Sequence, residues 1–233
     1  MNIEQEIKNY LNKNGVSFIH FTDISFLSES QNNALPNAIL FGIVLSPAYI
    51  QKVGTTTNYV EKMKQNDQIQ NDEFHLTELK TDRLADELAG YLQTKGFSAF
   101  SQSEANLEAH SLYNKLENST PLPHKTIARF AGLGWIGKHN LLVTPQFGSA
   151  ISMCTVLTDA PVNCISALPM QSLCGSCSVC VDVCPTNAIY GNGWEAETSR
   201  DNLIDFRKCI TCLECLVQCP WTQKQVGNTI YIP

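Results

Sequence analysis

Two stretches of this 233-residue sequence, CGSCSVCVDVCP at residues 174–185 and CITCLECLVQCP at residues 209–220, carry the same motif. Each stretch reads C-x2-C-x2-C-x3-C-P, and together they take up all but two of the 10 cysteines. Disulfide frameworks of that density belong to short secreted chains, whereas cysteines two or three residues apart have the spacing of metal ligands. The repeated motif therefore predicts a metal-binding, cysteine-rich unit in the C-terminal part of the chain.

This spacing is the one with which bacterial two-cluster ferredoxins hold a pair of 4Fe–4S clusters. In that arrangement the fourth cysteine of each motif binds the cluster of the other motif. The spacing therefore predicts two 4Fe–4S clusters and an electron-transfer role. The first predicted ligand set is Cys174, Cys177, Cys180 and Cys219, and the second is Cys209, Cys212, Cys215 and Cys184.

The composition limits the possible partners. Hydrophobic residues make up 43% of the sequence, enough for a folded core, and the formal net charge is -6. A chain of that charge lacks the overall basic field that favours nucleic acid or an anionic membrane. The N-terminus is polar, without the apolar segment of a secretory signal, and no run of about 20 apolar residues occurs. We expect a cytoplasmic protein that does not enter a membrane.

The region before the cysteines alternates between helical and strand-like patterns. Apolar residues recur at helical spacing in two long segments, and short β-branched or aromatic runs lie between them. Predicted helices cover residues 1–14, 73–95 (with Asp72 as its cap) and 124–131; predicted strands cover 16–21, 38–45 and 97–100; a β-hairpin is predicted from 141–144 and 151–157. The order of elements predicts an α/β (α+β) domain over residues 1–165, followed by a two-cluster ferredoxin-like domain over residues 166–233.

A resemblance to a known family lies directly before the cysteine motifs. The run PLPHKTIARFAGLGWIGKHNLLVTPQFGS at residues 121–149, with LTDAP at 157–161, closely resembles epoxyqueuosine reductases. These are cobalamin and iron–sulfur enzymes that carry out the last reductive step of queuosine formation in tRNA, and they are related to reductive dehalogenases. The resemblance covers residues 118–221. It implies a nitroreductase-like α/β domain that binds cobalamin close to an iron–sulfur cluster.

The glycine-rich loop of this run is the predicted cofactor-binding segment. Closely spaced glycines let the backbone approach a ligand, and a lysine and a tryptophan lie among them. A histidine replaces an asparagine common in relatives, and since the family uses no histidine on cobalt we expect none here. The predicted cofactor-binding residues are Gly132, Gly134, Trp135, Gly137, Lys138, His139, Asn140 and Ser149.

The sequence departs from the family at the position of its acid. In epoxyqueuosine reductases an aspartate three residues before the proline matching Pro121 is the proposed proton donor, and here that residue is Asn118. An asparagine amide cannot supply that proton. The predicted catalytic residues are therefore Asn118 itself, as a hydrogen-bonding group, together with His124 and Tyr113 as alternative acids. His110 is a weaker alternative.

The leading functional hypothesis is a reductase that passes electrons from a small donor, such as ferredoxin or flavodoxin, through two clusters to cobalamin. The substrate, small or RNA-borne, is left open, as is the oligomeric state. The sequence ends at Pro233 without the helical-repeat tail that many members use for tRNA, which weakens the expectation of tRNA. The alternatives are an electron-transfer protein or a reductive activator of a corrinoid partner, without substrate chemistry of its own, and a flavin in place of cobalamin.

Overall fold

The computed structural model describes residues 2–164, 167–195 and 198–227. Within these ranges the chain forms helices and short strands in alternation, a mixed α/β fold as predicted. The helices are α1 (Ile3–Lys13), α2 (Glu29–Asn32), α3 (Pro47–Thr55), α4 (Tyr59–Gln65), α5 (Glu73–Thr94), α6 (Glu104–Ala109), α7 (His124–Phe130), α8 (Val179–Asp182), α9 (Glu214–Val217) and α10 (Pro220–Gln223). The strands are β1 (Phe18–Asp23), β2 (Asn37–Val44), β3 (Ala99–Ser101), β4 (Trp135–Ile136), β5 (Leu142–Val143) and β6 (Ile151–Thr158).

The chain folds into two compact units, each assembled from three segments. Unit 1 contains residues 1–43, 77–132 and 152–168, and unit 2 contains residues 44–76, 133–151 and 169–233. The predicted domain boundary between residues 165 and 166 lies outside the described residues and stays a prediction.

Unit 1 is built on a four-stranded sheet with the strand order β1-β2-β6-β3. Strands β1 and β2 are antiparallel, and β3 pairs antiparallel with β6. Fully buried side chains of α1, α5 and the two central strands form one core, among them Leu11, Phe41, Leu88 and Cys154. Burying these apolar groups is the main stabilising contribution to the unit, and Cys154 is part of the core, as its apolar surroundings in the sequence indicate.

Helix α5 begins where the sequence predicts it, and a buried carboxylate caps it. Asp72 is 3% exposed and its Oδ1 accepts the backbone N–H of Phe74 at 3.0 Å. The same carboxylate accepts the hydroxyls of Tyr49 at 2.8 Å and Tyr59 at 2.9 Å. A carboxylate at a helix N-terminus satisfies N–H groups that have no partner within the helix. Asp72 therefore joins the start of α5 to α3 and α4 within unit 2.

The buried face of α5 differs in part from the predicted one. The leucines of the predicted helix at residues 73–95 recur at helical spacing, which predicts one shared apolar face, but Leu76 and Leu79 are 49% and 54% exposed. In their place Thr77 and Thr81 face inward, and the hydroxyl of Thr81 lies 3.0 Å from Ser152 Oγ. The hydroxyls tolerate burial because they are hydrogen-bonded, so the buried stripe includes positions that an apolar pattern does not reveal.

The predicted hairpin between residues 141–144 and 151–157 is wrong. Strand β5 pairs with β4, whereas β6 joins the four-stranded sheet beside β2. Strand β6 is buried along almost its whole length, which is typical of a central strand covered on both faces. Between them a tight turn closes, with backbone hydrogen bonds between Thr144 and Gly148 at 2.9 and 3.0 Å. That turn redirects the chain before β6 begins.

None of the helices in the described part of the chain combines the length and apolar character needed to cross a bilayer.

Candidate functional site

A small pocket in unit 2 brings together one predicted cluster-ligand set. Cys174, Cys177 and Cys180 of the first motif line it together with Cys219, the fourth cysteine of the second motif. Cys180 lies in α8 and Cys219 directly precedes α10, so the two helices present their thiols to the same space. The other lining residues are Lys138, His139, Pro220 and Trp221.

The charges of these thiols fit a metal cluster. Burial raises the pKa of Cys180 to about 12, with the neighbouring Cys174, Cys219 and Cys177 adding to the effect. Burial likewise raises the pKa of Cys219, again with Cys174 and Cys177 contributing. Four neighbouring thiolates repel one another, and a positively charged metal core removes that repulsion. The pocket is therefore suited to a group that binds all four sulfurs.

The cysteines of the second predicted ligand set also lie near one another. Burial raises the pKa of Cys215, and Cys212, Cys209 and Cys184 are among the thiols that raise it further. Burial is also the main cause that raises the pKa of Cys212, and Cys184 and Cys209 are among the groups that raise it further. Cys184, from the first motif, thus lies near the three thiols of the second motif.

Cys184 differs from the other buried thiols. Burial acts to raise its pKa, but hydrogen bonds outweigh burial and leave that pKa lowered. One of these donors is the backbone N–H of Ala188, 3.3 Å from Cys184 Sγ. Amide N–H groups directed at sulfur stabilise a thiolate ligand and tune the cluster that it holds. Cys209 is the exposed member of the set.

No three histidine, cysteine, aspartate or glutamate side chains in the described ranges converge on one point as the ligands of a single metal ion do. In a 4Fe–4S cluster each cysteine binds a different iron, so four thiolates surround a volume instead of a point.

The residues after Gly137 contact the cysteine pocket. Lys138 Nζ donates a hydrogen bond to the backbone carbonyl of Cys177 at 2.9 Å. His139 is 4% exposed; its Nδ1 accepts the backbone N–H of Leu141 at 3.1 Å, and its Nε2 lies 3.2 Å from Ser149 Oγ. Both ring nitrogens have partners within the chain, so His139 holds the loop in place.

The glycines of the loop are explained by packing. A Cβ on Gly134 would lie 2.0 Å from the carbonyl oxygen of Val143, across the β4–β5 pair. A Cβ on Gly137 would lie 2.7 Å from the ring of His139. Real Cβ atoms do not approach so closely, which means that the chain itself fills the space that the missing side chains leave. These two glycines therefore give no independent evidence for a bound cofactor.

Three other predicted cofactor residues also have roles within the chain. Gly132 adopts a φ of +68°, and a Cβ there would lie 2.5 Å from Ala167. Asn140 adopts a φ of +63°, and its N–H donates to the carbonyl of Gly137 at 2.8 Å, closing a turn. Ser149 is 3% exposed and its N–H donates to Thr222 Oγ1 at 2.9 Å.

The predicted catalytic residues Tyr113 and Asn118 are brought together in unit 1. The Tyr113 hydroxyl donates to Asn118 Oδ1 at 2.6 Å, across a short antiparallel bridge between Asn114 and Ser119. Asn118 is exposed and has a φ of +44°, a left-handed conformation that asparagine tolerates better than most residues. The amide oxygen of Asn118 accepts a hydrogen bond from the phenol of Tyr113. This pair of side chains can therefore form hydrogen bonds but contains no carboxylic acid.

The two histidines among the predicted acids, His124 and His110, contact residues other than Tyr113 and Asn118. His124 opens helix α7, and its Nδ1 lies 2.9 Å from Thr155 Oγ1. Burial lowers the pKa of His124 to about 4, which leaves its imidazole neutral near pH 7. A neutral imidazole with this pKa is a poor general acid at neutral pH. His110 is exposed, and its ring packs edge-on against Phe100 with centroids 5.1 Å apart.

Several residues around the site were not singled out from the sequence. Trp221 and Pro220 line the cysteine pocket, and Thr222, fully buried, holds Ser149. Their position directly after Cys219 was the available signal, because residues next to a cluster ligand stay next to the cluster. The contact of Thr155 with His124 could not be predicted in this way, because the two residues are far apart in the sequence and only the fold brings them together.

The C-terminal part of the chain matches a known family model. Residues 173–222 match the 4Fe-4S dicluster domain. This range contains both cysteine motifs, and the match confirms the dicluster domain that their spacing predicts.

Curated epoxyqueuosine reductases match part of the chain. The chain is 31% identical over 136 residues to an epoxyqueuosine reductase of Aliivibrio fischeri, covering 48% of this chain and 34% of that protein. It is 42% identical over 93 residues to an epoxyqueuosine reductase of a Synechococcus species, covering 40% of this chain and 26% of that protein. The matched stretches thus span only a quarter to a third of these relatives.

Solved structures share the fold over almost the whole chain. An epoxyqueuosine reductase from Streptococcus thermophilus aligns with a TM-score of 0.56 and 16% identity, covering 100% of this chain and 69% of that one. A catabolic reductive dehalogenase aligns with a TM-score of 0.62 and 17% identity, covering 93% of this chain and 31% of that one. At this identity the likeness concerns the fold alone.

The fold and the cysteine-rich segment define an α/β protein with a 4Fe–4S dicluster domain. The sequence matches make part of this chain similar to epoxyqueuosine reductases, the likeness that the run at residues 121–149 predicts.

Proposed function

We propose that this protein is an oxidoreductase that carries electrons through two 4Fe–4S clusters to cobalamin and on to a substrate. The observation that carries the proposal is that the fourth cysteine of each motif lies near thiols of the other motif. Cys219 lines the pocket of Cys174, Cys177 and Cys180, while Cys184 neighbours the thiols of the second motif. This arrangement is typical of two clusters held side by side for electron transfer.

The same thiols indicate the direction of electron flow. Cys209 of the second set is exposed, and the neighbouring Ile210 is 53% exposed. Cys180 of the first set is 8% exposed and packs in one apolar cluster with Cys184 and Cys215. We propose that a small redox protein such as ferredoxin or flavodoxin delivers electrons beside Cys209, and that they move inward to the first set.

Support for cobalamin comes from the family. One solved neighbour, aligned with a TM-score of 0.63 and 17% identity, is described as suggesting a mechanism for B12-dependent dehalogenation. Bound cobalamin supplies a metal centre able to reduce a substrate. In unit 2 the predicted contacts Gly134, Gly137 and His139 are accounted for by packing, and Lys138 contacts the cysteine pocket. These contacts within the chain are independent of cobalamin, so the support for this cofactor comes from the family likeness alone.

A second candidate function is favoured by the Tyr113–Asn118 hydrogen bond. Removing oxygen from an epoxide requires proton donation to the leaving oxygen. The phenol and the amide satisfy each other, and His124 is neutral near pH 7. A protein without an acid here could deliver electrons to a partner, as an electron-transfer protein or a reductive activator of a corrinoid protein.

An RNA assay separates the two candidates. One epoxyqueuosine reductase structure holds an epoxyqueuosine-modified tRNA stem loop, and such an RNA is the substrate to test. Reduced protein supplied with cobalamin is incubated with this RNA, using wild type and Asn118→Asp. Product that increases in Asn118→Asp supports an RNA-borne substrate and identifies the missing acid. No product from either protein contradicts an RNA-borne substrate and leaves a small molecule or the electron-transfer function.

A further inference from the structure

Trp135 carries a buried hydrogen-bond donor that the rest of the described chain does not satisfy. The side chain is fully buried, and its indole Nε1 has no hydrogen-bond partner among the described residues. Leaving such a donor unpaired is destabilising, which is why nearly all buried donors in folded proteins have partners. An unpaired donor at a candidate cofactor site points to an acceptor that belongs to the cofactor.

The surroundings of Trp135 identify the kind of acceptor. Trp135 packs in one cluster of side chains with Cys219 and Cys174, two of the four thiols of the first set. No oxygen or nitrogen acceptor is present on the other side chains of this packed group, which are Val143, Met170 and Trp221. The acceptor that these surroundings offer is therefore a sulfur atom, either a cysteine thiolate or a sulfide of the 4Fe–4S cluster.

One competing acceptor lies within the same cluster of side chains. The ring of Trp221 lies 5.0 Å from that of Trp135 at an interplanar angle of 79°, an edge-to-face arrangement. An indole N–H can point at the face of an aromatic ring, but such contacts are weaker than hydrogen bonds to charged groups. Four thiolates and the sulfides that they surround carry negative charge, and the stronger acceptor is the charged one.

We propose that the indole N–H of Trp135 donates a hydrogen bond to a sulfur of the 4Fe–4S cluster held by Cys174, Cys177, Cys180 and Cys219. The proposal rests on the cluster assignment above and does not depend on cobalamin. Trp135 acts as a positioning residue that tunes the reduction potential of this cluster. Lys138, whose Nζ binds the Cys177 carbonyl, adds positive charge to the same pocket.

The effect on electron flow follows from charge. One-electron reduction by an external donor such as dithionite adds one negative charge to the cluster. A donated N–H and a nearby lysine both stabilise that added charge, so they raise the reduction potential of the first set. Electrons that enter at the exposed second set would then run to the first set, in agreement with the proposed direction.

The test combines pulsed EPR with a redox titration of the intact protein. Tryptophan labelled with 15N is incorporated, the clusters are reduced with dithionite, and the hyperfine coupling of indole nitrogen to the cluster spin is recorded. We expect a coupling in wild type that is lost in Trp135→Phe and kept in Trp194→Phe and Trp221→Phe. In Trp135→Phe the reduced fraction of this cluster at a fixed potential should fall about tenfold, the scale of one hydrogen bond to a charged group.

The control variants keep the proposal testable if Trp135→Phe does not assemble clusters. A coupling that persists when Trp194 and Trp221 are replaced together has Trp135 as its source, since the sequence contains 3 tryptophans. Clusters that are present and reducible, but show no indole coupling in wild type, would overturn the inference and leave the proposed function intact. Absence of any 4Fe–4S signal in wild type would instead overturn the proposed function.

Discussion

The exchange of fourth ligands between the two motifs can be tested by removing cysteines in pairs. Cys219 affects the pKa of Cys180, and Cys184 affects that of Cys215, across the two motifs. If each fourth cysteine binds the other motif's cluster, Cys174→Ala with Cys219→Ala removes two ligands from one cluster. Cys174→Ala with Cys184→Ala removes one ligand from each cluster.

The expected magnitude follows from the ligand sets. A two-cluster protein of this type holds about eight iron atoms per chain. The double variant at residues 174 and 219 should keep about four of these, with one intact cluster visible by EPR after reduction. The double variant at residues 174 and 184 damages both clusters and should keep far less than half of the iron.

Iron and acid-labile sulfide are counted per chain after anaerobic purification, beside an EPR spectrum of the reduced protein. The two double variants share Cys174→Ala and differ only in the second cysteine, so general instability affects both alike. Cys164→Ala, outside both motifs, is the matched control and should keep the wild-type iron content. The reverse result, with more iron in the 174/184 variant than in the 174/219 variant, would refute the exchange of ligands.

Three further predictions concern pH and stability. Because the pKa of His124 is lowered from 6.5 to about 4 in the fold, the free energy of unfolding is highest above pH 6.5 and falls as the pH drops toward 4. Denaturant titrations over that range should show a smaller fall in His124→Gln, and an equal fall would contradict the assigned pKa. Asp72→Ala should lower the free energy of unfolding by about 3 kcal/mol, because a helix cap and two buried hydroxyls lose their acceptor, whereas Asp72→Asn should lose less. Gly134→Ala would place a methyl group 2.0 Å from the Val143 carbonyl oxygen and should lower the free energy of unfolding by about 2 kcal/mol or more. The control variant Gly90→Ala has open space around the added methyl group and should raise the free energy of unfolding in the same assay.

The cluster ligands could be predicted from the sequence because their spacing is a local property. Three thiols within seven residues must lie close together, and the proline after the fourth cysteine of the second motif, Pro220, begins helix α10. The mixed α/β fold and the family likeness were predicted correctly for the same reason, since short motifs and periodicities carry them. The exchange of Cys184 and Cys219 between clusters stays a prediction.

Strand pairing could not be predicted, because the partner of an apolar run lies far away in sequence. Strand β6 pairs with β3, about fifty residues earlier, and no local signal distinguishes that partner from the nearby β5. The glycine-rich loop shows a related limit. A glycine can leave room for a ligand or for the chain itself, and at Gly134 only the position of Val143 shows that the chain fills the space.

Anaerobic purification with metal analysis tests whether this protein moves electrons through two clusters to cobalamin, as proposed. Iron and cobalt are counted, and the optical spectrum is recorded with and without added cobalamin, before and after reduction. We expect about eight iron atoms per chain, and a cobalamin spectrum that changes on binding and changes again on reduction. Full iron content without cobalamin binding under any condition would contradict the cobalamin-dependent function and favour an electron-transfer protein.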